Sequence, residues 1–289
     1  MNKFNKILIL GVSGMLGNSL YRLFSGYPDV HVFGTLRNDS SKKFFNENLH
    51  KNLIGNIDVE NSDQLIRSID EVKPDVVINC IGLVKQLSAS NNPLLSIPIN
   101  SLLPHRIAKI CSISDARFIH LSTDCVFSGS QGFYNENDHV DAKDLYGISK
   151  YLGEVINDDC ALTLRTSIIG HELYGNKSLV NWFLSQSSPI NGYRQAIFSG
   201  FPTVEIGRII KDFVLPNPEI KGLYHLSSDP INKYELLKLI SNTYKKDIEI
   251  IPDDTFKIDR SLDSSKFRFK TGFKPKPWAQ LVSEMYEFG

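Results

Sequence analysis

Tyr146 and Lys150 lie four residues apart in the segment Leu145-Tyr146-Gly147-Ile148-Ser149-Lys150. In an α-helix such residues share one face, one turn apart. The spacing therefore sets a phenol beside an ammonium. A fixed positive charge favours the phenolate and is expected to pull the Tyr146 pKa below its reference of roughly 10. A tyrosine tuned in this way can give or take a proton near neutral pH. An exposed, solvated pair would have the same spacing, so the pair gains meaning only from the elements that would position it.

Those elements begin at the first strand. Ile7-Leu8-Ile9-Leu10 is a continuous apolar run, the pattern of a strand buried on both faces of a parallel sheet. Gly11-Val12-Ser13-Gly14-Met15-Leu16-Gly17 follows, and then the helical pattern Leu16, Leu20, Leu23, Phe24. A GxxGxxG spacing at a strand–helix junction is a close variant of the dinucleotide fingerprint. Gly11 would allow the tight turn, Gly14 the approach of a pyrophosphate, and Gly17 the close seating of helix on strand. The free N–H groups of the helix start, from Ser13 through Met15 and Leu16, would face the phosphates.

A second strand, Val30 to Gly34, runs into Thr35-Leu36-Arg37-Asn38. An acid at the tip of this strand would bind the ribose 2′-hydroxyl of NAD. None stands here, and Arg37 is available for a 2′-phosphate. NADP(H) is therefore expected ahead of NAD(H), which stays open. Asn56-Ile57-Asp58-Val59 reads as a short strand. Its Asp58 would accept from an adenine amino group, cap the helix Ser62 to Val72, or do both. Val76 to Asn79 is another buried strand, and Cys80-Ile81-Gly82 a turn that could lie along the cofactor ribose and nicotinamide.

Lys85, in Val84-Lys85-Gln86, falls at the carboxyl ends of the strands, where ligands bind in open α/β sheets. It is a substrate or cofactor contact, or a surface lysine. Asn100 either caps the helical pattern Leu102, Leu103, Ile107, Ile110 or sits within the helix and orders a water chain toward Lys150. Arg117 to Asp124 is a strand ending in hydroxyls and an acid. If parallel to the first strand, it brings Ser122, Thr123 and Asp124 to the edge that carries the Gly-rich turn. A hydroxyl there could hydrogen-bond a substrate carbonyl together with Tyr146.

The totals bound the alternatives. The chain has 289 residues, with 32 Lys+Arg against 32 Asp+Glu, enough length for a large core and one or two domains. Zero net charge argues against a general binder of nucleic acid or of anionic membrane. No window of about 18 consecutive apolar residues occurs, so no membrane span is expected. The opening residues run straight into a strand-like segment and do not read as a secretory leader. Cys80, Cys111, Cys125 and Cys160 are scattered, without CxxC or zinc spacing, and the seven histidines form no ligand pattern. A reduced cytoplasmic protein without a structural metal is expected. The oligomeric state is open, a homodimer being one expectation.

As a set, these features resemble the extended short-chain dehydrogenase/reductase family. The matching marks are Gly11xxGly14xxGly17, Asp58-Val59, Asn79-Cys80-Ile81-Gly82, Thr123 at a strand end, and Tyr146xxxLys150. Within the family, three segments look most like the dTDP-4-dehydrorhamnose reductase branch. They are Ser122-Thr123-Asp124-Cys125-Val126-Phe127-Ser128-Gly129, Leu145 to Lys150 with Gly153-Glu154, and Leu164-Arg165-Thr166-Ser167. That branch usually has Tyr where Cys125 stands and an acid where Ser128 stands. The resemblance implies a Rossmann-like α/β fold, with a doubly wound parallel sheet and a smaller C-terminal substrate lobe. It also implies reduction of the 4-keto group of a nucleotide-activated 6-deoxysugar, for surface polysaccharide. Tyr146 would be the general acid, and Lys150 would hold the nicotinamide ribose. Thr123 would orient the carbonyl, and Asp124, Cys125 and Arg165 would lie by the substrate.

The Rossmann domain is expected over residues 1–168. The lobe is expected over 169–289, with some later segments returning to the first domain. Ala161 to Arg165 reads as a strand, Leu179 to Phe183 as a short helix, and Asn191-Gly192-Tyr193-Arg194-Gln195 as a turn. Thr203 to Val214 and Lys233 to Thr243 read as helices, Leu223 to Leu226 as a strand, and a last helix starts at Trp278. Asn181, Trp182, Tyr193 and Arg194 are candidate substrate contacts, since Arg beside an aromatic can pair with a diphosphate and stack on a base. Two rivals follow from the same family. One is an epimerase or dehydratase, which recycles a tightly held cofactor. The other is a catalytically silent dinucleotide-binding subunit that regulates a partner.

Overall fold

The structure is a computed structural model that describes residues 5–85 and 88–289; Met1 to Phe4, Gln86 and Leu87 lie outside the described residues. In chain order the first half holds β1 (Lys6–Leu10), α1 (Met15–Ser25), β2 (His31–Thr35), β3 (Leu53–Ile54), α2 (Ser62–Val72), β4 (Val76–Asn79), α3 (Pro93–Ser96), α4 (Leu103–Ile113), β5 (Arg117–Thr123) and α5 (Leu145–Leu152). The second half holds β6 (Ala161–Thr166), β7 (Ile168–Ile169), α6 (Leu179–Ser185), β8 (Ile190–Phe198), β9 (Phe201–Pro202), α7 (Thr203–Ile209), β10 (Gly222–His225), β11 (Ile231–Asn232), α8 (Lys233–Tyr244), β12 (Ile250–Asp259), α9 (Ser265–Thr271) and α10 (Trp278–Phe288).

The central sheet has seven strands in the order β10-β6-β5-β4-β1-β2-β3. Its pairings are parallel throughout. The apolar runs explain why. Side chains alternate across a strand, so a strand covered on both faces must be apolar at every position. Ile7, Ile9, Val76, Ile78, Ile119 and Leu121 enter one buried cluster. Leu8, Leu10, Val77 and Phe118 enter the cluster on the other face. The order reverses between β1 and β4, which places the carboxyl ends of both beside the turn after β1. That is the usual ligand crevice of an open α/β sheet. β10, from late in the chain, closes the far edge on β6.

A smaller sheet, β11-β8-β12, carries the lobe. The turn expected at 191–195 is absent: β8 is one nine-residue strand paired in parallel with β12. Asn-Gly is a strong turn signal. Here Gly192 serves close approach instead, since a Cβ there would lie 2.7 Å from both Ile250 and Tyr234. The strand expected at 56–59 is also displaced. β3 is Leu53–Ile54, and Asn56 then takes φ 58°, a left-handed conformation that Asn tolerates and a strand does not. Asp58 and Val59 follow in the turn before α2, and the helix is capped by Asn61, whose side chain accepts from the Asp63 and Gln64 N–H groups.

Candidate active site

The turn after β1 is shaped by contacts on its back. Gly11 takes φ +83°, and its N–H donates to the Thr35 hydroxyl at 3.1 Å. A Cβ on Gly17 would stand 2.3 Å from the Gly11 carbonyl oxygen, so only glycine lets α1 seat this closely. At Gly14 the nearest neighbour of a Cβ would be 3.5 Å away. The turn is thus packed behind and open in front. A cleft of about 460 Å³ starts there and is lined by Gly11, Ser13, Gly14, Arg37, Asp58, Val59, Cys80, Ile81 and Gly82. These expected cofactor residues come together; Met15, Leu16 and Gly17 do not line the cleft. The helix has by then turned into the core, where Leu16 and Gly17 are buried. Thr35, Ile57, Glu60 and Leu83 line the cleft and were not foreseen. Thr35 ends β2, and its position just before Leu36-Arg37 was the available signal.

The far end of the cleft is built on an irregular helix. Residues 97–102 form a π-helical stretch between α3 and α4, a device frequent at functional sites. Asn100 lies inside it, so it is not an N-cap. Its Oδ1 accepts from the Leu83 N–H at 2.9 Å, and its Nδ2 donates to the Leu83 carbonyl and to Ser149 Oγ, each at 3.2 Å. One amide thus ties the loop 81–83 to α5, the helix of Tyr146 and Lys150. A Cβ on Gly82 would lie 3.4 Å from Asn100 Oδ1 and 4.0 Å from Lys150 Nζ. Lys150 therefore sits directly beneath the loop that lines the cleft. Its side chain is buried, and Nζ donates to the Leu121 carbonyl at 2.8 Å.

Asp144 caps α5 by accepting from the Gly147 N–H at 2.8 Å. The Thr123 hydroxyl accepts from the Cys125 N–H and donates to Asp124 Oδ1, each at 3.1 Å. Thr123 acts on the Tyr146 phenol as a hydrogen-bonding partner. The titration of the pair differs from the expectation. Burial pushes the Tyr146 phenol above its ordinary range, and Cys125, Asp124 and Asp144 add to the effect. Burial likewise pulls Lys150 down to about 8, opposed by Glu154 and Cys80. The i,i+4 spacing brought the two side chains to one face, but desolvation outweighs any stabilisation of the phenolate. Tyr146 is held in its acid form.

Beyond the two hydroxyls lies a patch of mixed charge. Burial raises the Asp124 carboxyl, with Arg260 and Lys233 acting against it. Cys125 is pushed up to about 12 by burial, so it stays a thiol. Lys85 pairs with Asp144 at 2.7 Å at the mouth, both side chains being well exposed. Arg260 donates from Nε to the Phe127 carbonyl at 2.7 Å. Lys233 starts α8 and Arg260 follows β12, each more than 100 residues along the chain from Asp124, and no local spacing singles them out.

Four expected substrate contacts, Arg165, Arg194, Asn181 and Tyr193, are engaged elsewhere, and a fifth, Trp182, lies on the surface. Arg165 is buried and holds Glu154 in a two-point grip, Nε to Oε1 at 2.8 Å and an outer nitrogen to Oε2 at 2.7 Å. Its remaining nitrogen meets His225 Nε2 at 3.3 Å, so the guanidinium is spent on the fold. Arg194 pairs with Asp254 at the exposed edge between β8 and β12. Asn181 closes its own loop, accepting from the Glu172 N–H and donating to the Gly175 carbonyl. Tyr193 packs on Phe256 at 5.2 Å between ring centres, and Trp182 is partly exposed on α6. Among the described residues no group of three His, Cys, Asp or Glu side chains could hold a metal ion, and no helix is long and apolar enough to cross a membrane.

A doubly wound sheet, a Gly-rich turn at its switch point and a Tyr-Lys helix beside that turn define an extended short-chain dehydrogenase/reductase. The chain belongs to the RmlD substrate binding domain family, whose model matches residues 5–288. Among curated relatives, the probable low-salt glycan biosynthesis reductase Agl14 of Haloferax volcanii is 31% identical over 166 residues, 56% of this chain and 52% of that one. The chain thus aligns with about half the length of that relative. Methionine adenosyltransferase 2 subunit beta of Mus musculus is 25% identical over 97% of this chain and 90% of its own. Among solved structures, dTDP-4-dehydrorhamnose reductase from Bacillus anthracis in complex with NADP superposes with a TM-score of 0.79 at 21% identity, covering 99% of this chain and 100% of that one. The Bordetella bronchiseptica enzyme WbmG in complex with NAD and UDP gives 0.77 at 16%, covering 99% and 95%. At these identities the two structures share the fold.

Proposed function

We infer that this chain is an NADPH-dependent reductase acting on the 4-keto group of a nucleotide-activated 6-deoxysugar, in the supply of sugars for surface polysaccharide. The observation that carries the reading is buried Lys150 beneath the loop of Gly82, on the helix of a buried Tyr146 that Thr123 acts on, beside a cleft that starts at Gly11 to Gly14. The family, the glycan reductase relative and the NADP-bound structural neighbour support it.

The residues present fit a dinucleotide. The open front of the Gly14 turn would receive the pyrophosphate on the first N–H groups of α1. Arg37, which has no salt bridge among the described residues, would receive a 2′-phosphate. Lys150 would donate to the ribose hydroxyls nearest the ring. When bound, the reduced nicotinamide supplies the hydride. Reduction of a ketone places negative charge on the carbonyl oxygen, so donors aimed at that atom lower the barrier. Tyr146, held protonated by burial, gives that oxygen its proton. Thr123 accepts from the Cys125 N–H, and its one hydroxyl proton, which here goes to Asp124, would turn to the same oxygen when substrate binds. Proton delivery of this kind contributes a factor of roughly 10² to 10⁴.

The test is NADPH oxidation with dTDP-, UDP- and GDP-4-keto-6-deoxysugars. Tyr146→Phe is expected to lower kcat by roughly 10² to 10⁴ with NADPH affinity unchanged; full turnover in that variant removes Tyr146 from the role. A second reading is favoured by the near full-length alignment to a methionine adenosyltransferase subunit: a dinucleotide-binding subunit without turnover of its own. It predicts tight NADP(H) binding with no oxidation against the panel. An epimerase or dehydratase of the same family predicts protein that purifies with NAD(P) bound and needs none added.

A further inference from the structure

One histidine that the reaction does not use is poorly accommodated in the core. His120 lies in the middle of β5, is fully buried, and stands in register with Asn79, the last residue of β4. Its Nδ1 is 3.3 Å from Asn79 Nδ2. The other end of that amide is engaged, because Asn79 Oδ1 accepts from the Ile81 N–H at 3.0 Å. A backbone N–H can only donate, so the carboxamide turns its oxygen to Ile81 and its nitrogen to the ring. Burial, with the charge of Lys150 and with His105, pushes the ring pKa well below the ordinary histidine value, so the ring is neutral. Nδ1 is then the acceptor, and the single ring proton sits on Nε2. Nε2 has no hydrogen-bond partner among the described residues. A buried donor in that state destabilises the fold.

What the ring gives in return lies at the cleft. The Cys80 N–H still donates to the Leu10 carbonyl of the neighbouring strand, at 3.1 Å. The chain then leaves the sheet through Ile81, Gly82 and Leu83, and these three and Cys80 all line the cleft. Two side-chain amides hold this loop. Asn100 takes the N–H and the carbonyl of Leu83, and Asn79 takes the N–H of Ile81. Asn100 is anchored in turn on Ser149, and Asn79 on His120. Without an acceptor at Nδ1, the Asn79 amide is free to turn its nitrogen toward Ile81, and the bond to that N–H is lost.

We propose that His120 is a positioning residue for the cofactor: it fixes the Asn79 carboxamide, and through it the shape of the loop Cys80 to Leu83 that receives the nicotinamide half of the dinucleotide. This rests on the cofactor part of the reductase reading above. A ring kept for packing alone would carry no unpaired donor, and an apolar side chain would fill the same place at less cost.

The experiment is a fluorescence titration of NADPH and of NADH on the parent chain and two variants, with a melting scan of each. His120→Leu fills a similar volume, removes the unpaired Nε2 proton and leaves the Asn79 nitrogen without its acceptor. One unpaired buried donor replaces another, so melting is expected within about 4 °C of the parent. The Kd values for NADPH and NADH are both expected to rise about fivefold, the worth of one neutral hydrogen bond, because the loop would touch the half that the two cofactors share. His120→Asn places an oxygen where Nδ1 stands. It is expected to melt lower, since the rest of the ring leaves a void, and yet to bind both cofactors as the parent does. Affinity and stability thus move apart in the two variants, which a purely structural histidine does not produce. His120→Met serves as the apolar replacement should His120→Leu not fold. Unchanged affinity in the apolar variant, or affinity that follows melting temperature in both, overturns the inference and leaves the cofactor reading standing. A parent chain that binds neither NADPH nor NADH overturns both.

Discussion

The grip of Arg165 on Glu154 gives a sharp test, because the sequence pattern put Arg165 at the substrate and the structure puts it in the core. Both side chains are 3% exposed, and both guanidinium contacts are shorter than 2.9 Å. Glu154 also accepts from Ser122 Oγ at 2.6 Å, which ties the end of β5 to the segment after α5. Removing one partner of a buried pair leaves an uncompensated charge and costs about 3–5 kcal/mol. Arg165→Met and Glu154→Leu are each expected to lose that much in urea unfolding. In a melting scan the loss is roughly 6–10 °C, at roughly 2 °C per kcal/mol for a chain of this size. The double variant removes both charges. It leaves Ser122 and His225 each short of a partner, at about 1 kcal/mol apiece. It is therefore expected within about 2 kcal/mol of the parent, far from the sum of the singles. If Arg165→Met unfolds within about 1 kcal/mol of the parent and instead raises KM for the sugar nucleotide, the guanidinium serves substrate and the structural assignment fails.

Three further outcomes follow from the site. Lys150 is cationic below about 8 and neutral above, while Tyr146 stays protonated across that range, so kcat is expected to fall as pH rises through about 8. Glu154 supports the Lys150 charge, so Glu154→Gln, where it folds, should move that alkaline limb to lower pH; a limb that stays put assigns it to another group. Arg37→Ser is expected to raise KM for NADPH by about tenfold and leave KM for NADH unchanged, since an exposed charge-assisted contact is worth about 1.5 kcal/mol. Equal effects on the two cofactors would show that Arg37 does not read a 2′-phosphate.

What the sequence reveals and what it hides divides along the range of the interactions. The turn of Gly11, Gly14 and Gly17 is visible because its constraints are local: a positive φ at Gly11 and an oxygen 2.3 Å from where a Gly17 Cβ would be. The central strands are visible because burial on both faces leaves them apolar at every position. Asn191-Gly192 misleads because the demand on Gly192 comes from Tyr234 and Ile250, far along the chain, and a close-approach glycine is spelled like a turn glycine. Arg165 misleads for a related reason, its role being set by the buried Glu154 it grips and not by the residues on either side of it.

The Tyr146 pKa shows the limit most clearly. Spacing places a lysine on the same helix face, and from spacing alone the charge should favour the phenolate. Lys150 turns its ammonium toward the Leu121 carbonyl instead, and both groups lose water. Solvation is a property of the whole packed structure, so a four-residue interval cannot carry it. The reversal also suits the chemistry. Reduction needs a tyrosine that still has its proton when the carbonyl oxygen gains charge, and a phenol titrating below its ordinary range would have surrendered part of it. Burial thus keeps on Tyr146 the proton that the proposed acid role requires.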